Sequence, residues 1–209
     1  MQRLVVLALA LIVAAPGLPA QEPVKKIDDG VLDHIELYTS SLENPKSLSV
    51  VIKPFDASTA DLGTGGKNGK ESRQDEAKTM QDQGPKVLAE KFATALQEKD
   101  LFKSVKVAAD GDAVEGPAIV VEGKFITLDP GSRAKRYFAG FGAGKSSVKV
   151  TGTVKDASGK VLAAFTQRRI GAMGVGGGDS LGKLMSDSRK IGEDIANFLS
   201  KWARGDDLN

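Results

Sequence analysis

Ser147-Val148-Lys149-Val150-Thr151-Gly152-Thr153-Val154-Lys155, followed by Asp156-Ala157-Ser158-Gly159 and then by Val161 to Arg169, constrains the fold more tightly than the rest of the chain. Val148, Val150, Gly152 and Val154 alternate with Lys149, Thr151, Thr153 and Lys155. That period of two predicts a strand with one buried and one wet face. Asp156 to Gly159 reads as a turn, and Val161 to Arg169 as the returning strand of a hairpin. A register with Val154 opposite Val161, Gly152 opposite Ala163 and Val150 opposite Phe165 sets apolar or small residues against one another. Carried on, it brings Ser146 beside Arg169. The loops before Val148 and after Ile170 should therefore share one end of the sheet.

On the N-terminal side, Leu48 to Phe55, Ser104 to Ala108 and Ala118 to Leu128 read as three further strands, rich in β-branched residues. Gly123 is expected to mark a bulge in the last of these. Val87, Leu88, Phe92, Ala95 and Leu96 recur at helical spacing, so Pro85 to Lys99 predicts a helix with Pro85 in its first turn. Arg73 to Gln83 has helix-forming composition but little apolar stripe. Ser180 caps a last helix, with Leu181, Leu184, Ser188, Ile191, Ile195, Phe198 and Trp202 on one face. The order β-α-β-β-β-β-α predicts an α+β two-layer sandwich. Its mostly antiparallel sheet of about five strands would carry two helices on one face. One domain, 47–203, is expected.

The flanks read differently. Arg3, the apolar run Leu4 to Ala15 and the breakers Pro16, Gly17 and Pro19 make residues 1–20 a signal peptide, cleaved near Ala20. The run is too short to span a bilayer, and no transmembrane segment is expected in the mature chain. A periplasmic or secreted location follows. Losing Arg3 with the leader lowers the formal charge from +2 to +1, too little for a bulk field toward nucleic acid or anionic membrane. Residues 21–46 read as a mostly irregular polar leader, with Val31-Leu32, Ile35 and Leu37 able to give a short ordered piece. Residues 204–209 read as a polar tail. Its Arg204-Gly205-Asp206 tripeptide is too short a match to assign. The chain has no cysteine, which excludes disulfides, thiol catalysis and a lipid anchor on a cysteine.

Two glycine-dense segments stand out. The first, Gly131 to Ser147, mixes basic, aromatic and glycine residues; the second is Gly171 to Gly178. Ala139 to Ser146 fits a relaxed phosphate-binding loop. That chemistry needs a helix N-terminus after the lysine, and the alternation from Val148 predicts a strand instead. The one histidine, His34, lacks partners of recognisable spacing. Lys145 with Ser146 or Ser147, the nearest approach to a Ser-Lys nucleophile, would point to opposite faces of a strand. No metal-ligand cluster, cofactor motif or nucleic-acid pattern is visible. A non-enzyme is expected.

The run Arg136-Tyr137-Phe138-Ala139-Gly140-Phe141-Gly142-Ala143-Gly144-Lys145-Ser146, with Val148, Val150, Val154, Asp156, Gly159 and a Gly-rich loop before a C-terminal helix, resembles a family of uncharacterised bacterial exported proteins and lipoproteins. It is the domain of unknown function numbered forty-four-ten, and the resemblance covers roughly Ser47 to Ala203. It implies an envelope protein and carries over no catalytic residues. The expectation from the residues is a non-catalytic interaction or assembly module that binds an envelope protein or itself. Its rim would be Arg136, Phe138, Gly140, Phe141, Gly142, Gly144, Lys145, Arg168, Arg169, Met173 and Gly174. The alternative is a binder of an anionic small ligand or cell-wall component, held by Arg133, Arg136, Lys145, Arg168 and Arg169.

Overall fold

The computed structural model describes residues 22–63, 72–109, 116–131, 145–171 and 180–209. Among these, the strands are β1 (Lys25–Asp28), β2 (His34–Leu37), β3 (Ser49–Ile52), β4 (Ser104–Val107), β5 (Ala118–Asp129), β6 (Ser147–Asp156) and β7 (Val161–Ile170). The helices are α1 (Ser72–Gln97) and α2 (Ser180–Arg204). The protein is α+β, as its pattern predicts, but the sheet is larger than about five strands and is mixed. Seven strands run in the order β1-β2-β7-β6-β5-β3-β4. The ladders β5–β3 and β3–β4 are parallel, and the others are antiparallel. The parallel pair follows from the crossover through α1, since a strand–helix–strand unit returns its second strand in the direction of the first.

The additional strands come from the segment that reads as an irregular leader. β1 and β2 have only four residues each, too few for alternation to be distinctive. Their register on β7 nevertheless buries Ile27, Ile35 and Leu37. The tail is also part of the fold. Leu208 is buried, and its carbonyl accepts the Val31 N–H at 2.9 Å. Arg204 turns back onto Asp206 at 2.7 Å, which ties up the Arg-Gly-Asp tripeptide within the tail.

Helix α1 runs straight through Pro85 rather than starting there. Proline costs the bond to the carbonyl four residues earlier. The preceding turns are held from outside: Met80 is fully buried and the Gln81 amide donates to the Ala57 carbonyl at 2.7 Å. In α2 the expected face is the buried one, from Leu184 through Ser188, Ile191, Ile195 and Phe198 to Trp202. Both helices pack on one another and on the same side of the sheet. There an aromatic row runs Phe55–Phe165–Phe198–Trp202, with centroids 6.3, 5.9 and 5.9 Å apart. Gly123 and Gly152 face each other beneath it. A Cβ on Gly152 would strike the Phe165 ring, and one on Gly123 would strike Phe55. Gly123 therefore clears space for rings in a regular ladder. The bulge of β5 lies further on, between Phe125 and Thr127.

The β6–β7 hairpin keeps the expected faces but slips by two residues. Val154 pairs with Ala163, Gly152 with Phe165, Val150 with Gln167 and Lys149 with Arg168. The turn explains one residue of the slip. Asp156 donates its N–H to the Lys160 carbonyl at 3.0 Å, enclosing three residues, and Gly159 takes the left-handed φ of 88°. An irregularity at Val154/Lys155 supplies the second. Two single shifts restore the side-chain parity.

Candidate functional site

The first glycine-dense segment leaves and rejoins the sheet, and the second leaves it, at one end of neighbouring strands. Ser147 pairs with Ile170, and the Gly171 N–H donates to the Ser146 carbonyl at 2.8 Å. Asp129, the last residue of β5, pairs with Ser147 on the other side. Residues 129, 146 and 171 are thus lateral neighbours. Arg136, Phe138, Gly140, Phe141, Gly142, Gly144, Met173 and Gly174 of the expected rim lie outside the described residues, as does Arg133. The element after Lys145 is β6, a strand, so no helix N-terminus follows the phosphate-loop-like string.

Of the described rim residues, Lys145 and Arg168 come together and Arg169 does not join them. Strand alternation sends Arg168 and Arg169 to opposite faces. Arg169 turns under α2, where its Nε and Nη2 reach Asp194 at 3.0 and 2.7 Å. Gln167, also on the helix side, donates to Asp194 at 2.7 Å and accepts the Asp33 N–H at 2.9 Å. The pair is a clamp between α2, β7 and the loop before β2. A single basic cluster containing both arginines is therefore not formed. Nearby on the helix side, Lys183 pairs with the buried Asp187 at 2.9 Å.

Arg168 belongs to the open face, where with Lys145, Ser147, Lys149, Ile126, Thr127, Asp129 and Ile170 it lines a depression of about 570 Å³. Arg168 donates to the Ser147 hydroxyl at 3.2 Å. Lys149 and Arg168 stand directly opposite across the ladder. Among the described residues neither makes an ion pair, and neither do Lys145 and Lys124. Like charges so placed repel at Cβ separations of about 5 Å. Ile170, beside them, is 51% exposed.

Further along β5 and β6, a second depression of about 460 Å³ is lined by Lys53, Pro54, Glu122, Lys124, Thr151 and Thr153 among others. Here the cations have carboxylate neighbours, and Asp56, which lines the same depression, is held below its ordinary value by hydrogen bonds from Ser58 and by Lys124. Glu122 accepts from Lys53 at 3.1 Å and also from Lys155. The hydrogen bond from Lys155, with that from Lys53, holds the Glu122 carboxyl below its ordinary value although partial burial pushes it up. Among the described residues no aromatic side chain lines either depression.

Lys149 and Lys124 are the members of this face that pattern reading missed. The signal for Lys149 was present in the wet set of β6; Lys124 lies in β5, opposite Thr151. The register expected from sequence sets Lys149 against Thr166, and only the two-residue slip brings it to Arg168. Among the described residues no group of three histidine or carboxylate side chains is placed to hold a metal ion, and no helix is long and apolar enough to cross a membrane.

Solved structures similar to this chain include the PelC dodecamer from Paraburkholderia phytofirmans, 14% identical, covering 78% of this chain and 96% of that one with a TM-score of 0.44. Another is an uncharacterised protein, 10% identical, covering 75% and 95% with a TM-score of 0.39. No curated protein is a significant match to the sequence. The profile of the domain of unknown function DUF4410 matches residues 50–175, which take in β3 through β7 and the whole of the glycine–aromatic segment, and the chain belongs to that family.

Proposed function

We propose that this is an exported envelope protein that acts without catalysis, as an interaction or assembly module. After signal cleavage near Ala20 it would work in the periplasm or outside the cell. Its contact surface is the sheet end from which the two glycine-dense segments spring, and its partner is another envelope protein or a second copy of itself. The supporting observation is the Gly171-to-Ser146 backbone bond. It fixes the bases of both segments side by side, so that Phe138, Phe141, Met173 and Val175 all belong to chain anchored at one edge. Glycines nearby permit close backbone approach, and aromatic residues flanked by arginine are the composition of interface centres.

Phe141→Asp with Met173→Asp tests this in the mature chain. The pair should abolish crosslinked or co-purified partners from the envelope fraction and any self-association seen by analytical ultracentrifugation, with the thermal melt unchanged. Undiminished association by both measurements overturns it.

A further inference from the structure

We propose that the depression at the end of the sheet's open face is a binding site for a small phosphate monoester that also carries a hydroxyl group. The site is separate from the loop-mediated contact proposed above and rests on different residues. Thr127, Asp129, Lys145, Ser147, Lys149 and Arg168 line one depression of about 570 Å³, within the range of ordinary small-ligand sites.

Strand pairing places these side chains together. Thr127, Lys149 and Arg168 form one row across β5, β6 and β7, and Asp129, Ser147 and Ile170 form the next. Neighbours within a row are about 5 Å apart and the two rows about 7 Å apart. Lysine and arginine side chains are long enough to cross those gaps. Lys149 and Arg168 can therefore close on one anion beside Ser147, and Lys145 lies two residues before that serine. The like charges of Lys149 and Arg168, directly opposed across the ladder, repel one another. An anion shared between them turns that repulsion into joint attraction.

Hydrogen-bond donors are left over at the same place. Arg168 uses only its Nε, on the Ser147 hydroxyl at 3.2 Å, and its two Nη nitrogens have no acceptor among the described residues. Ser147 is only 8% exposed. Its oxygen accepts from Arg168, so its own proton remains to be donated, and no acceptor for it stands among the described residues. A nearly buried donor without an acceptor destabilises the fold unless something entering the depression takes the bond.

Charge and acceptor select the ligand class. Three cations and the one carboxylate of Asp129 leave two formal positive charges on the lining. A phosphate monoester is a dianion above about pH 6 and balances both; a carboxylate balances one. Asp129 sets the other end of the ligand. Its Oδ1 accepts the Gly131 N–H at 2.7 Å, and its Oδ2 has no donor among the described residues. That oxygen repels phosphate and accepts from a hydroxyl, so the hydroxyl belongs on the ester's carbon skeleton. Ile126 and the exposed Ile170 offer the skeleton apolar contact.

Isothermal titration calorimetry of the mature protein with glycerol phosphate at neutral pH tests the site. Saturable binding is expected. Glycerate, with a carboxylate in place of the phosphate ester, and inorganic phosphate, without the hydroxyl, should both bind more weakly, and glycerol should not bind. Lys149→Gln and Arg168→Gln should each weaken binding about ten-fold, and Ser147→Ala about five-fold, with parent-like circular dichroism. Lys190→Gln, on the exposed side of α2, should bind like the parent. Absence of saturable binding by the parent overturns the proposal. So does glycerate binding as tightly as the ester, or unchanged affinity in the folded double variant of Lys149 and Arg168. Phosphatidic acid presents a phosphate monoester on a lipid, and adhesion to its vesicles that glycerol phosphate does not displace also overturns it.

Discussion

On the helix side of β7, Arg169 gives two nitrogens to the carboxylate of Asp194. On the open side, one residue earlier, Arg168 faces Lys149 across the ladder, without an ion pair among the described residues. The two arginines share a strand and a residue type, and only alternation separates them. Arg169 is part of how α2 is held to the sheet. Arg168 has no carboxylate partner within ion-pair distance among the described residues and donates to the Ser147 hydroxyl. A charge whose partners are all internal reports on stability, and one left unmatched reports on what the surface meets.

Cutting the helix-side clamp should have the largest effect. Asp194→Ala leaves the half-buried Arg169 and the Gln167 amide without their shared acceptor. Hydrogen bonds to charged groups contribute about 1.5–3 kcal/mol each, and chemical denaturation should show a loss of about that size. Asp194→Asn should recover part of it, because the amide oxygen still accepts. A parent-like midpoint for the alanine variant would mean that the clamp is incidental and that the two arginines do not differ in kind.

The contrast between Arg168 and Arg169 was only half legible in the sequence. Alternation from Val148 to Val154 told which side chains share a face, and it did so correctly for the whole hairpin. It was blind to the pairing partner, because a slip of two residues leaves every face unchanged. That slip came from Gly159 and from the irregularity at Val154/Lys155, local backbone events that residue types do not announce. β1, β2 and the docking of Leu208 were hidden for a related reason. Four-residue strands and a single buried leucine get their order from the sheet they join, so their own composition looks like linker. The long elements, with their own stripes, read truly. Pro85 misled because a proline in a first turn and one inside a helix carried by Met80 and Gln81 look alike in sequence.

A smaller effect is expected within the open face, where Glu122, shared by Lys53 and Lys155, offers a paired counterpart to Lys149 and Arg168. Glu122→Gln should cost under about 1 kcal/mol, as ion pairs near the surface do. The pH dependence has a definite sign. The folded-state carboxyl lies below its unfolded value of 4.5, so its contribution is complete above that value and is lost as pH falls through the lower folded one. In acid titrations of stability, the parent and Glu122→Gln should differ above pH 4.5 and converge below it. A constant offset down to pH 2 would assign the difference to packing.

Smallest in size, and most informative in sign, is the removal of the repulsion itself. Most surface substitutions change stability by less than 0.5 kcal/mol in either direction. Lys149→Gln should raise it by a few tenths of a kcal/mol, because the residue directly opposite carries the same charge. Lys149→Glu should raise it further by creating an opposed pair with Arg168. Screening separates this from changes in strand propensity: the gain should shrink steadily with added salt and vanish near 1 M, where the Debye length is about 3 Å. A gain that persists in high salt would come from the side chain's fit in the strand. A loss would mean that Lys149 is stabilising where it stands, and the open face would then hold its charges for the fold's own sake, as the helix side does.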